Sequence, residues 1–284
     1  MIVIADSGST KTEWCFIENG IIRECVVSNG INPYFETIDD IIAEIKSVFA
    51  KFHFEEIISN IYFYGAGCTP DKSDIVKYCI SKIVGVDISV EVNSDLLGAA
   101  RALFTKERGI ACILGTGSNS CYYNGEYIER NISPLGFILG DEGSGAVIGK
   151  LFIGALLKNQ FGEDFKTKFL LECNLSTEEI IDRVYRKPFP NRFLASLSPI
   201  IAKHLNNQEV HSLVLNCFKD FFKRNVMQYD YLNLNIAFIG SVAFYYKDIL
   251  IEAAKELGIS INKIEISPIK GLVEYHSTPL PKNN

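Results

Sequence analysis

The sequence predicts an α/β protein in which one pattern is used twice. Three observations lead there. Short apolar runs that end in small polar turns recur along the chain, as in IVIADSGST at the start, ACILGTGSNS near the middle and IAFIGSV further on. Between them lie stretches with apolar residues at helical spacing. The opening order of strand, small-residue turn and hairpin then returns, so that a second half starts near residue 110. Strands alternating with helices, some of the strands joined by tight turns, describe mixed sheets flanked by helices.

The elements follow in order. Ile2–Ala5 is a strand, and TEWCFIENGIIRECVVSNG is a hairpin about Asn19-Gly20, a dipeptide suited to a two-residue turn. IDDIIAEIKSVFAKF has helical spacing, with Thr37 and Asp39 near its start. ISNIYFYGAG is a buried strand ending in glycines, KSDIVKYCISKIVG a helix, VDISVEVNSD a strand and LLGAARALF a helix. GIACILGTGSNSCYYNGEYIER reads as three strands around a glycine turn and Asn124-Gly125. Residues 142–228 read as mostly helical, with breaks at Gly162, Ser176 and Pro188–Pro190. NIAFIGSVAFYYKDILIEAAKELG is strand, turn and helix, SINKIEISP a strand, and IKGLVEYH a closing helix.

Composition narrows the function. The 284 residues suffice for one large domain or two ordinary ones. With 28 Lys+Arg against 34 Asp+Glu, the net charge of −6 argues against nucleic acid as a partner. An acidic chain can still hold a polyanion through backbone N–H groups, a helix end or a metal ion. The first residues lack the basic start and apolar length of a signal peptide. No apolar stretch approaches the ~18 residues that would span a membrane. The eight cysteines are scattered without a C-x-x-C pair, so they are expected to be buried, reduced thiols of a cytoplasmic protein. The four histidines, at 53, 204, 211 and 276, are dispersed and are expected at surfaces or helix caps, not on a metal.

Three glycine turns carry the chemistry. In ADSGSTKT, Asp6 ends a strand at the rim of a sheet. Gly8 permits close approach to the backbone, Ser9, Thr10 and Thr12 offer hydroxyls, and Lys11 offers a cation. That set suits phosphate, with the carboxylate holding Mg²⁺ through water. LGTGSNS repeats the arrangement with Gly115, Thr116, Gly117 and Ser118, and FIGSV adds Gly240 and Ser241 ahead of a helix. Neither the P-loop spacing nor the dinucleotide glycine pattern is present. Asp95, in NSDLLGAA, follows a strand and opens a helix. It can cap that helix, or take the proton of a hydroxyl attacking a γ-phosphoryl group. Asp141 and Glu142 lie among glycines in PLGFILGDEGSG, and Asn32 precedes Pro33 in a polar turn. Asp141 suits sugar hydroxyls, with Glu142 supporting the turn or the metal, and Asn32 is either a turn residue or a second contact to the sugar.

DSGSTKT, NSDLLGAA, GTGSNS, LGDEGSG and IGSV occur in the order found in N-acetylglucosamine kinases. The chain resembles that family over nearly its whole length, together with the activator ATPases of benzoyl-CoA reductase and 2-hydroxyglutaryl-CoA dehydratase, within the actin-like ATPase superfamily. The resemblance implies two ribonuclease-H-like domains hinged around a cleft, 1–110 and 111–284. The second carries a helical insertion, and the last helix packs back on the first domain. It implies ATP and Mg²⁺ as cofactors, with Asp6 toward the metal and Ser9, Thr10, Lys11, Thr12, Gly115, Thr116, Gly117 and Ser118 around phosphates. Gly240 and Ser241 would meet adenosine, Asp95 would be the catalytic base, and Asn32, Gly136 and Asp141 would hold the sugar. The expected reaction is phosphorylation of an amino sugar at O6, N-acetylglucosamine or N-acetylmuramic acid. Where the family carries Gly-Trp-Gly before the sugar-binding aspartate, this chain has Pro134, Leu135 and Gly136, so glucosamine or a plain hexose also stays open. The expected partner is a small sugar, with no nucleic acid and no membrane; a homodimer stays open. Two other classes compete. An activator ATPase would need an iron–sulfur cluster on paired cysteines, which Cys112, Cys121, Cys173 and Cys217 do not form by spacing. A non-enzymatic nucleotide or sugar sensor would not need Asp95.

Overall fold

The computed structural model describes residues 1–51 and 58–277. The chain forms two compact units. One comprises Met1–Glu107, Asn124–Ile128 and the segment from Ser267 onward; the other comprises Arg108–Tyr123 and Glu129–Ile266.

The first unit holds a five-stranded sheet in the order β3-β2-β1-β4-β5. Strands β1 (Ile2–Ser7), β2 (Lys11–Glu18) and β3 (Ile21–Asn29) form an antiparallel meander, and β4 (Asn60–Gly65) and β5 (Ser89–Ser94) run parallel to β1. Side chains alternate between the two faces of such a sheet. Val3, Ala5, Trp14, Phe16, Ile61 and Phe63 point into one core, closed by α1 (Ile38–Phe49) and α2 (Ser73–Val84). Thr37 caps α1 in a reciprocal arrangement with Asp40. The other face is covered by α3 (Asp95–Phe104) and by the closing helix, α13 (Ile269–Ser277). His276 of α13 stacks on Tyr62 and hydrogen-bonds Tyr64 at 2.8 Å. It is neither a cap nor a surface group, and burial pushes its pKa down to about 4. His53 lies outside the described residues.

The second unit repeats the topology. Its sheet runs β10-β9-β6-β7-β8, with β6 (Gly109–Leu114), β7 (Ser118–Tyr123) and β8 (Ile128–Ile132) corresponding to the first meander, and β9 (Ile236–Ile239) and β10 (Lys263–Glu265) to the parallel pair. Between β8 and β9 lie α4 (Gly136–Leu139), α5 (Gly145–Leu157), four helices spanning residues 163–202, and α10 (Gln208–Arg224). α11 (Ser241–Tyr245) and α12 (Lys247–Glu256) follow β9. Phe152, Phe218, Phe221, Phe222 and Phe238 are fully buried in one core. The expected breaks at Gly162 and Ser176 are helix starts, and the single helix expected after β9 is two. α4, absent from the sequence reading, is one turn long, too short for periodicity to register.

The cysteine expectation needs one correction. Cys15 and Cys25 are joined in a disulfide, while the other six are free thiols. A two-residue Asn19-Gly20 turn with an unbroken ladder would set Cys15 opposite Glu24. A register shift between Phe16 and Ile17 moves the pairing by one residue and brings Cys15 opposite Cys25. That bulge is invisible in the sequence.

Candidate active site

In the first unit the site lies at the carboxyl ends of the parallel strands, where open α/β sheets place their ligands. Ser7, Gly65 and Ser94 form one row across β1, β4 and β5, with Asp6, Tyr64 and Asn93 one row below. Asp95 follows directly as the first residue of α3, whose N-cap is Ser94, accepting from the Leu97 N–H. The Asp95 carboxylate accepts the Leu96 N–H at 2.8 Å. Capping is therefore mainly Ser94's work, which leaves Asp95 for another role.

The charge of Asp95 is felt at Asp6. Burial raises the pKa of Asp6 to about 7. The charges of Asp95 and of Glu13, its partner across β2, add to this, and only Lys11 opposes it. Burial likewise raises Asp95 to about 6, against its backbone hydrogen bonds. Three carboxylates beside one lysine form a site short of positive charge, and a hydrated divalent cation fits that donor set.

The loop between β1 and β2 is tightly built. Gly8 N–H donates to Lys11 O, and Gly30 N–H donates to Thr10 O. A Cβ on Gly30 would stand 2.4 Å from Gly8 O, so the loop rests on bare backbone. Ser9 is half-buried, and Thr10 and Lys11 are exposed. Thr12 is placed differently. Its buried hydroxyl donates to Asn29 O at 2.9 Å and meets Ser7 Oγ at 2.7 Å, so it braces the loop from beneath.

Asn32 is buried, and its Oδ1 accepts the Tyr34 N–H at 3.0 Å. Gly67, at φ +77°, backs directly onto that amide: a Cβ there would reach Oδ1 at 2.3 Å. The next residue, Cys68, lies close enough to Asp95 to have its thiol pushed up by that charge as well as by burial. The turn 65–68 thus brings Asn32 to the side of Asp95. Gly67 was not singled out by sequence, although the glycines closing its strand were the available signal.

In the second unit the candidate residues are mostly backbone groups. The turn after β6 closes by Gly115 N–H to Gly117 O, and the first N–H groups of α5 donate to Gly115 O and Thr116 O. Gly240, at φ +125°, approaches so closely that a Cβ would stand 2.2 Å from Leu114 O. The second and third glycine turns are therefore in contact, with Ser241 exposed at the start of α11. Asp141 joins them. Ser118 N–H bonds its carboxylate, and a Cβ on Gly117 would lie 3.2 Å from Oδ2. Burial and Glu142 raise Asp141 to about 6 against that bond and the charge of Lys150. Its own N–H donates to Pro134 O at 2.8 Å, which folds 134–141 into a tight segment with Leu135 at φ +62° and Gly136 exposed. Glu142 is buried and pairs with Arg224 and Asn225, which gives its expected support of the turn two partners that the sequence did not name. Cys112, Cys121 and Cys217 are buried and Cys173 is half-buried, all as free thiols. No described helix is long and apolar enough to cross a membrane.

No family model matches the chain. Among solved structures, a "Putative N-acetylglucosamine Kinase" from Porphyromonas gingivalis is 48% identical with a TM-score of 0.95, covering 98% of this chain and 99% of that one. A structure under the same description from Chromobacterium violaceum is 14% identical with a TM-score of 0.76, covering 96% and 98%. A ROK family glucokinase from Streptomyces griseus, in complex with glucose and AMPPNP, is also 14% identical, with a TM-score of 0.61 and coverage of 96% and 97%. Those two show the fold alone. A curated relative, the N-acetylmuramic acid/N-acetylglucosamine kinase of Clostridium acetobutylicum, is 33% identical over 144 residues, which span 48% of this chain and 46% of that protein. The near-complete match at 48% identity, on a fold whose two sheets repeat one topology, places this chain in the N-acetylglucosamine kinase family.

Proposed function

We propose that this chain is an ATP-dependent kinase that phosphorylates an amino sugar, N-acetylglucosamine or N-acetylmuramic acid, at O6. The observation that carries the reading is the placement of Asp95, half-buried beside Asp6 at the carboxyl edge of the first sheet with a pKa of about 6. A base of that strength is largely ionised at neutral pH yet still basic enough to take a hydroxyl proton as the phosphoryl group transfers. Asn32, held against Gly67, is placed to orient the sugar beside it.

The remaining roles follow from the chemistry of the groups. Asp6 would hold Mg²⁺ through water, with Glu13 adding charge. When bound, the metal supplies positive charge to the phosphates. Ser9, Thr10 and Lys11 offer hydroxyls and a cation suited to phosphate oxygens, with Thr12 bracing that loop, and Gly115 to Ser118 are likewise a loop suited to phosphate. Gly240 and Ser241 are the adenosine contacts. Gly136 and Asp141 serve the sugar, and Asp141 also ties the second loop in place. The assay is a panel of N-acetylglucosamine, N-acetylmuramic acid, glucosamine and glucose with ATP and Mg²⁺, reading ADP. Sugar-dependent ADP release supports the reading. ADP release indifferent to every sugar sinks it and favours an ATPase.

A further inference from the structure

Cys15 and Cys25 differ from the other cysteines in placement. Cys15 is fully buried on β2, while Cys25 is exposed on β3, the edge strand of its sheet. Of the other six, five are buried. Burial pushes up the thiols of Cys79 and Cys112, and those of Cys68 and Cys217 to about 12. Cys173 is half-buried and has no sulfur paired to it. Glu13 lies in the same cluster, with a carboxylate oxygen within 4.8 Å of both sulfurs. It is also the register partner of Asp6. Further along, the same hairpin carries the Lys11–Asn29 pair and the Gly30 N–H to Thr10 bond that support the first loop.

We propose that Cys15 and Cys25 form a reversible dithiol–disulfide couple, worked from solvent at Cys25 by a small disulfide such as glutathione disulfide, and felt at the Asp6 site through Glu13 and the β2–β3 hairpin. The edge position gives a small reagent access to Cys25, and the register gives Cys15 as the resolving sulfur. In the oxidising direction the Cys25 thiolate attacks glutathione disulfide and releases one glutathione. The Cys15 sulfur then attacks the Cys25 sulfur of the mixed disulfide and releases the second. The two thiol protons leave on the two glutathione molecules. Reduction is the reverse, with two glutathione molecules consumed. The bond closes a short hairpin loop and so restricts the chain on either side of the phosphate loop.

The test is a titration of the intact protein in glutathione buffers of rising oxidised-to-reduced ratio, quenched with an alkylating agent in denaturant and counted by mass. Eight alkylated cysteines at the reduced end should fall to six at the oxidised end, with Cys15 and Cys25 protected together. Melting temperature should rise by several degrees over the same range, and Cys25→Ser should abolish the change. Eight at every ratio, six at every ratio, or a glutathione retained on Cys25 would each overturn the couple. The effect on the Asp6 site rests on the kinase reading and is measured by ADP·Mg²⁺ binding, expected to differ at least about twofold between the two forms. Equal affinities would remove that link while the thiol count stood. No ADP binding in either form would strike the kinase reading alone.

Discussion

The two units share one strand connectivity and put opposite chemistry on it. Ser7 pairs Thr12 at the mouth of the first hairpin, and Leu114 pairs Ser118 at the mouth of the second. One step inward the first unit has Asp6 opposite Glu13, and the second has Ile113 opposite Asn119. The scaffold dictates a turn at the sheet rim in both; the residues beside that turn decide what it can do. The first unit gathers carboxylates there, and burial makes Asp6 and Asp95 reluctant to ionise. The second gathers backbone groups and close-packed glycines, with Asp141 as its one aspartate at the loop.

The contrast can be broken at several points. The largest effect is expected at Asp95→Asn, which should cut kcat by roughly 10²–10⁴ while leaving ADP affinity within about twofold. Near-normal turnover would remove Asp95 from the chemistry. Next is Gly240→Ala, which forces a methyl against Leu114 O at φ +125° and should destabilise the second unit by about 2–4 kcal/mol in urea unfolding. Gly115→Ala is its control. Nothing lies within 4 Å of a Cβ there, so stability should hold while the KM for ATP rises several-fold. Equal losses of stability at both glycines would erase the distinction between a packed turn and a ligand-facing one.

The third effect is electrostatic. Asp6 binds its proton with a pKa of about 7 in the fold, against 3.8 for the ordinary group, so the folded state holds the extra proton between those values. Stability is therefore lost as pH rises through that window. Asp6→Asn should raise the melting temperature by a few degrees at pH 8, and the gain should vanish near pH 4. Activity should follow the same groups from the other side. Asp95 must be ionised to act, so kcat should fall about tenfold per pH unit below about 6. The smallest effect is expected at Thr12→Val, which removes the bonds to Asn29 O and Ser7 and should cost about 1–2 kcal/mol, with kcat little changed. A collapse of phosphate binding without loss of stability would instead put Thr12 on the ligand.

Much of this was legible because it is local. A strand ending in Asp6, a glycine turn and a hairpin are written within a dozen residues, and Asp95 after its strand likewise. What was missed depends on contacts between distant segments. Asp141 reads as a group for sugar hydroxyls, but the bond from the Ser118 N–H to its carboxylate shows only in the fold. Gly67 acquires meaning only against Asn32, and the partner through which Glu142 supports its turn, Arg224, lies far along the chain. The disulfide needed a one-residue slip in a hairpin that was otherwise foreseen.

The placement of α13 has a consequence for synthesis. It belongs to the first unit, with a Cβ on Gly271 fated to strike Ala102 O of α3 at 2.1 Å and His276 laid over Tyr62. A nascent chain that has delivered all five strands of the first sheet must therefore wait for residues 269–277 before that face can close. Until then Tyr62 lacks the His276 ring that covers it, and the half made first becomes the half finished last.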